Sequence, residues 1–102
     1  MSKHFVMTAN NTFINLDFVT SIYYREHIYD IGSTYEIILE GVEGEVSFGY
    51  VLREAIALNI IGRIINEEPI YNECYGVEEI IDLLKANGKK SFITIEEANR
   101  PD

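Results

Sequence analysis

Apolar and polar positions alternate with a period of two through the first half of the chain and follow a helical period afterwards. His4 to Thr8 is a short apolar run. Ala9-Asn10-Asn11-Thr12 reads as a turn, because asparagine tolerates the left-handed conformation that a tight hairpin needs. Thr12 to Leu16 returns as a strand, and Asp17 marks a break. Val19 to Glu26, rich in β-branched and aromatic residues, is the next strand. His27 to Thr34, with Asp30 and Gly32-Ser33, is expected to be a loop or a flared hairpin end. From Tyr35 to Glu40 the alternation is strict: Tyr35, Ile37 and Leu39 face one way, Glu36, Ile38 and Glu40 the other. Gly41-Val42-Glu43-Gly44 is a hairpin turn, and Glu45 to Phe48 closes the hairpin with Val46 and Phe48 inward.

The period then changes. Tyr50 to Asn66 has helical length and no proline, with Ser47 or Gly49 as its possible cap. Ile56, Ala57, Ile60, Ile61 and Ile64 form one broad stripe on its wheel. Val51, Ala55, Leu58, Gly62 and Ile65 form a second. A helix on one face of a sheet needs an apolar arc of about 100°. This arc is wider, so the helix is expected to be covered from two directions. Gly62, costing about 1 kcal/mol against alanine in a helix, implies close approach by another backbone. The second stripe is therefore the expected homodimer interface.

Glu67-Glu68-Pro69 ends that helix. Val77 to Ala86 is a second one, with Val77, Ile80, Ile81 and Leu84 at i, i+3, i+4 and i+7 and Asn87-Gly88 as its stop. Ser91 to Ile95 reads as a last strand and Glu96 to Asp102 as a polar tail. The expected order is βββββααβ. That is an α+β class with one mostly antiparallel sheet of five to six strands and two helices. All of it is read as a single domain, residues 1–102, with a meander over 1–48.

The segment Thr12-Phe13-Ile14-Asn15-Leu16-Asp17-Phe18-Val19-Thr20-Ser21-Ile22 resembles the opening of many short proteins of low-GC bacteria and their phages. They share an Ile-Asn-Leu-Asp-x-Val-x-x-Ile stretch, an alternating hairpin and a helix entered near Glu-Ala. Glu54-Ala55 holds that last place here, and the likeness spans roughly residues 5–66. It implies a β-meander with a helix, and no particular activity. The segment after Pro69 departs from the pattern. A composition of 16 Ile, 8 Asn and 7 Tyr, all with AT-rich codons, agrees with such a source.

Charge changes the picture most. Of 102 residues, 17 are acidic and 8 basic, a formal net charge of -9. Direct contact with nucleic acid or an anionic membrane is therefore not expected. No membrane span is expected, since no run approaches ~18 apolar residues, and no leader, since only a short apolar run lies between His4 and Asn10-Asn11. With one cysteine, no internal disulfide is possible, and a cytoplasmic setting is expected. Twelve of the acids fall in two windows free of Lys and Arg, Glu26–Leu52 and Ile64–Leu84. On a strand, positions i and i+2 share a face about 6.6 Å apart, comparable to successive phosphates of one nucleic-acid strand. Glu36, Glu40, Glu43 and Glu45 are thus candidate partner-binding residues, as are Glu67, Glu68 and Glu73 in the second window. Tyr23, Tyr24 and Tyr29, grouped with Tyr35 near one hairpin end, are candidate aromatic anchors.

Catalytic chemistry is sparse. Cys74 precedes the second helix, but a thiol nucleophile needs a base, and only His4 and His27 are available. Gly41 to Glu45 is too acidic to cradle phosphate, and no acidic group has calcium-loop spacing. No metal or cofactor is expected. The expected function is a non-enzymatic protein-interaction module. Its sharpest form is a phage- or mobile-element-encoded acidic inhibitor mimicking nucleic acid on a basic host protein. The alternative is a small dimeric accessory protein whose acidity serves solubility, and a ligand binder or thiol enzyme around Cys74 is the third.

Overall fold

The computed structural model describes residues 5–68 and 74–98, with side chains in the last helix described to Asn87. Five strands, β1 (Phe5–Met7), β2 (Phe13–Asn15), β3 (Val19–Tyr29), β4 (Gly32–Gly41) and β5 (Gly44–Val51), precede two helices, α1 (Glu54–Ile65) and α2 (Val77–Ala98). The class is α+β. The strands form two sheets, an antiparallel pair β1-β2 and an antiparallel sheet of order β3-β4-β5, instead of one sheet of five or six. The division falls at the break expected at Asp17. There Leu16–Phe18 makes one 3-10 turn, capped by the Asn15 side chain, which accepts from the Asp17 amide. The turn redirects the chain before β3 begins.

Local chemistry explains the hairpins. Asn11 takes a φ of 64°, and buried Thr8 holds the β1-β2 loop by accepting from the amides of Asn10 and Thr12. Residues 27–34 are not a loop. β3 and β4 run to Tyr29 and Gly32 and join through Asp30 and Ile31. At the other end Gly41 pairs with Gly44 across Val42 and Glu43. A β-carbon on Gly41 would lie 2.2 Å from the Phe18 carbonyl oxygen, so only glycine lets the 3-10 turn press against this hairpin.

The core lies between one face of the three-stranded sheet and α1. Ile37, Leu39, Phe48 and Val51 meet Ala57, Ile60, Ile61 and Ile64, with Val6 and Ile14 of the small sheet packed against them. The face assignments for β4 and for Val46 and Phe48 hold, though Val46 is partly exposed at its end of the strand. α1 starts at Glu54 instead of Tyr50, because β5 continues through a bulge to Val51; Arg53 takes the cap position without a side-chain cap bond. α2 packs on β4 and β5, burying Ile80 and Leu84. Tyr75, just before it, exchanges backbone hydrogen bonds with Tyr50.

α2 also runs straight through Asn87-Gly88 to Ala98, where a stop, a last strand over 91–95 and a polar tail were expected. The end of the β5 edge is taken by Tyr75 at Tyr50. A helix satisfies its own backbone groups, and that outweighs the β-branched residues of the segment. No helix among the described residues is long and apolar enough to cross a membrane.

Candidate functional site

The outer face of the three-stranded sheet, opposite α1, gathers most of the candidate residues. Pairing places Tyr23 opposite Ile38, Arg25 opposite Glu36 and His27 opposite Thr34. Across β5, Ser47 lies opposite Ile38 and Tyr50 opposite Glu36. The register shifts between Ile37 and Ile38, so Phe48 occupies an extra position in β5. The bulge lets Phe48 and Val51, three residues apart, both reach the core, and it turns Ser47 and Tyr50 to the same outer face. Gly49, with φ 154°, completes the bulge; a β-carbon there would lie 2.5 Å from the Cys74 Cβ.

Glu36 is the centre of this face. His27 Nε2 and Glu36 Oε1 are 2.8 Å apart, with the Glu36 side chain only 13% exposed. Burial works to raise the Glu36 pKa. Hydrogen bonds with Ser47, His27 and Tyr50, and the charge of His27, outweigh it and hold the carboxyl below its ordinary value. Burial, and the Glu36 charge and hydrogen bond, push the Tyr50 hydroxyl up, so it stays a donor. Thr34, fully buried opposite His27, has a hydroxyl without a hydrogen-bond partner among the described residues.

A second group lies one step along the same face. Tyr23 donates to Glu45, Arg25 bridges Glu45 at 3.1 Å, and the Arg25 guanidinium sits 5.9 Å from the Tyr23 ring centre. The hydrogen bond to Glu45 is the main cause of a raised Tyr23 pKa, and the same bond lowers that of Glu45. Glu40 stands directly opposite Glu45, and Glu43 occupies the exposed turn beyond. Among the described residues, no cation pairs with the Glu40 or Glu43 side chain.

Glu36, Glu40 and Glu45 therefore share a face, as the alternation implied, but they do not act as one bare row. Two of the three are held by His27 or Arg25. The tyrosines do not form one cluster either. Tyr23 and Tyr24 sit in mid-strand on opposite faces, and only Tyr29 lies at the turn. Tyr24 turns toward α1, where it donates to Glu54 and meets Tyr35 edge-on at 5.9 Å. That hydrogen bond raises its pKa. Glu67 and Glu68 are exposed just beyond α1, and Glu73 lies outside the described residues.

The stripe on α1 is real but smaller than expected. Ala55, Leu58 and Ile65 are exposed, Leu58 at 53% and Ile65 at 61%. Val51 belongs to β5 and is buried in the core, so it leaves the stripe. A β-carbon on Gly62 would meet nothing within 4 Å among the described residues, so no backbone among them presses there. Cys74 is half-buried against the core cluster, and His4 lies outside the described residues. Among the described residues, no three His, Cys, Asp or Glu side chains gather to hold a metal.

The residues that sequence reasoning missed are His27, Ser47 and Tyr50 around Glu36, and Arg25 on Glu45. The signal for Arg25 was present, as the one base on β3 directly beside an acidic window. Comparisons of the chain with protein-family models, with curated proteins and with solved structures return no match.

Proposed function

We propose that this protein is a non-enzymatic interaction module that binds a basic protein partner through its acidic β4-β5 hairpin. One observation carries this. Glu40 and Glu45 face each other across the hairpin, a like-charge pair that costs stability, and of the two only Glu45 has a counter-ion among the described residues. A lysine- or arginine-lined surface would relieve that repulsion, and Glu43 at the turn extends the charge outward. Tyr23, beside Glu45, and exposed Tyr29 supply aromatic contact on the same face. In its sharpest form the module is a cytoplasmic inhibitor encoded by a phage or mobile element. It would occupy the nucleic-acid-binding surface of a host protein, with the hairpin acids standing for phosphates. The suggestion of a phage source rests on the resemblance of residues 12–22. The second acidic window, Glu67, Glu68 and Glu73, serves as a further contact.

The test is affinity capture from a low-GC bacterial lysate, comparing the native chain with a Glu40→Lys/Glu43→Lys variant. Glu43 is exposed and Glu40 is half-exposed on the outer face, so the variant is expected to keep the fold. The expected result is a stoichiometric basic protein on the native chain alone, released by salt. Identical capture by both chains would mean that the acidity serves solubility.

A second observation favours self-association. Leu58 and Ile65 project from α1, and between them nothing among the described residues lies over Gly62, a surface that a two-fold partner would bury. The module is then a homodimer through α1. Light scattering should give twice 11.7 kDa for the native chain and a monomer for Leu58→Lys. A native monomer at micromolar concentration would end the dimer proposal.

A further inference from the structure

We infer that the groove between the 3-10 turn and the β4-β5 turn is an anchor pocket for an apolar side chain carried on a basic segment of a partner protein. This deepens the basic-partner proposal and rests on it. The groove has a volume of about 330 Å³ and is walled by Phe13, Phe18, Val42 and Val46, with Leu39 beneath. Phe13 and Phe18 are each 66% exposed and Val42 is 85% exposed. Large apolar side chains gathered at one place on a small chain mark a contact site. The volume is at the lower limit of enclosed ligand sites, roughly 300–1,000 Å³, and suits one or two large side chains.

The walls are fixed by local devices. Glycine at position 41 admits the Phe18 carbonyl, Asn15 caps the turn that carries Phe18, and the Thr20 hydroxyl donates to the Glu40 carbonyl at 3.2 Å. Gly44, at φ 114°, sets the opposite wall. A pocket held in this way costs little ordering on binding.

The rim decides the occupant. Glu43 lines the groove, and no lysine or arginine is among its lining residues. The one Lys or Arg between residues 5 and 52, Arg25, is engaged with Glu45. A second copy of a chain with net charge -9 would bring acid against acid here, and an anionic lipid surface would be repelled. An apolar anchor flanked by Lys or Arg satisfies both walls and rim.

The probe is a synthetic peptide with a Leu-Phe core flanked by lysines, titrated into the ¹⁵N-labelled full chain at low salt. Control peptides carry the same core flanked by glutamates, or a Ser-Ser core flanked by lysines. The lysine-flanked Leu-Phe peptide should shift the amides of Phe13, Phe18, Val42 and Gly44, and both controls should bind at least roughly tenfold more weakly. Phe13→Ser should weaken binding about tenfold without changing its salt dependence, whereas Glu43→Lys should weaken it and flatten that dependence. Both residues are exposed, and unchanged thermal unfolding confirms the fold. Binding that needs Glu43 but not Phe13 overturns the pocket and leaves the basic-partner proposal standing. Equal binding of both Leu-Phe peptides overturns both. Shifts centred on α1, or concentration-dependent broadening at the groove without peptide, assign the surface to another partner or to a second copy and overturn the pocket.

Discussion

Phe48 takes one extra position in β5, and the polar cluster on the outer face follows from that single residue. Strict alternation from Glu45 would turn Tyr50 inward beside Val46 and Phe48. The bulge instead aims Tyr50 at Glu36 together with Ser47. Such an insertion leaves no trace in a period-two pattern beyond Gly49 itself, so the cluster was not legible in the sequence. Because the Glu36 pKa is lower folded than its ordinary 4.5, its contribution is complete above that value. It is lost as pH falls through the folded value. Glu36→Gln should therefore cost about 1–2 kcal/mol at pH 7, and urea unfolding should show the native and variant stabilities converging in acid. Glu67 gives a second prediction at this scale. It holds φ 57° at the end of α1, where its amide reaches the Ile64 carbonyl and that of Glu68 reaches Arg63 at 2.8 Å. This is the arrangement in which glycine is usual. Glu67→Gly should raise stability by about 0.5–1 kcal/mol, read from the urea midpoint.

At the scale of elements, the strands were legible where side chains alternate and misjudged where the backbone alone decides. Tyr35 to Glu40 and the glycine-flanked turn after it announced themselves. The extension of β3 and β4 to a two-residue turn at Asp30-Ile31 did not, because Asp, Gly and Ser near that turn mimic a longer loop. The separation of the meander into two sheets depends on the glycine at position 41 accepting the Phe18 carbonyl, a tertiary contact that no local pattern carries. On α1 the buried stripe emerged as read, apart from Ile56, which is 38% exposed at the rim. α2 is the sharpest departure, since Asn87-Gly88 has the chemistry of a stop and lies inside a helix. The two possibilities make opposite predictions. Within a helix, Gly88→Ala should stabilise the protein by about 0.5–1 kcal/mol and raise its helical circular dichroism. At a left-handed cap the same change would destabilise it, so a fall in melting temperature would restore the stop.

At the scale of the whole molecule, two proposed contacts respond to salt with opposite signs. Net charge is -9, and the α1 stripe that would join two copies is apolar. Two such chains repel at distances beyond contact, and added salt shortens the range of that repulsion from about 30 Å at 0.01 M to about 10 Å at 0.1 M. Burial of Leu58 and Ile65 does not depend on the screened charges. Self-association should therefore tighten as salt rises over this interval. Contact of the Glu40-Glu43 hairpin with a basic partner is attraction of unlike charge and should weaken over the same interval, chiefly through slower association. Sedimentation velocity of the native chain at both salt concentrations reads the first effect. The titration with lysine-flanked peptide at the same two concentrations reads the second. The expected outcome is a dimer fraction that grows while peptide affinity falls. Loss of the dimer with salt would mean that charged groups, not the α1 stripe, hold the copies together. In that case Leu58→Lys, which adds a positive charge to an acidic chain, would strengthen association instead of abolishing it.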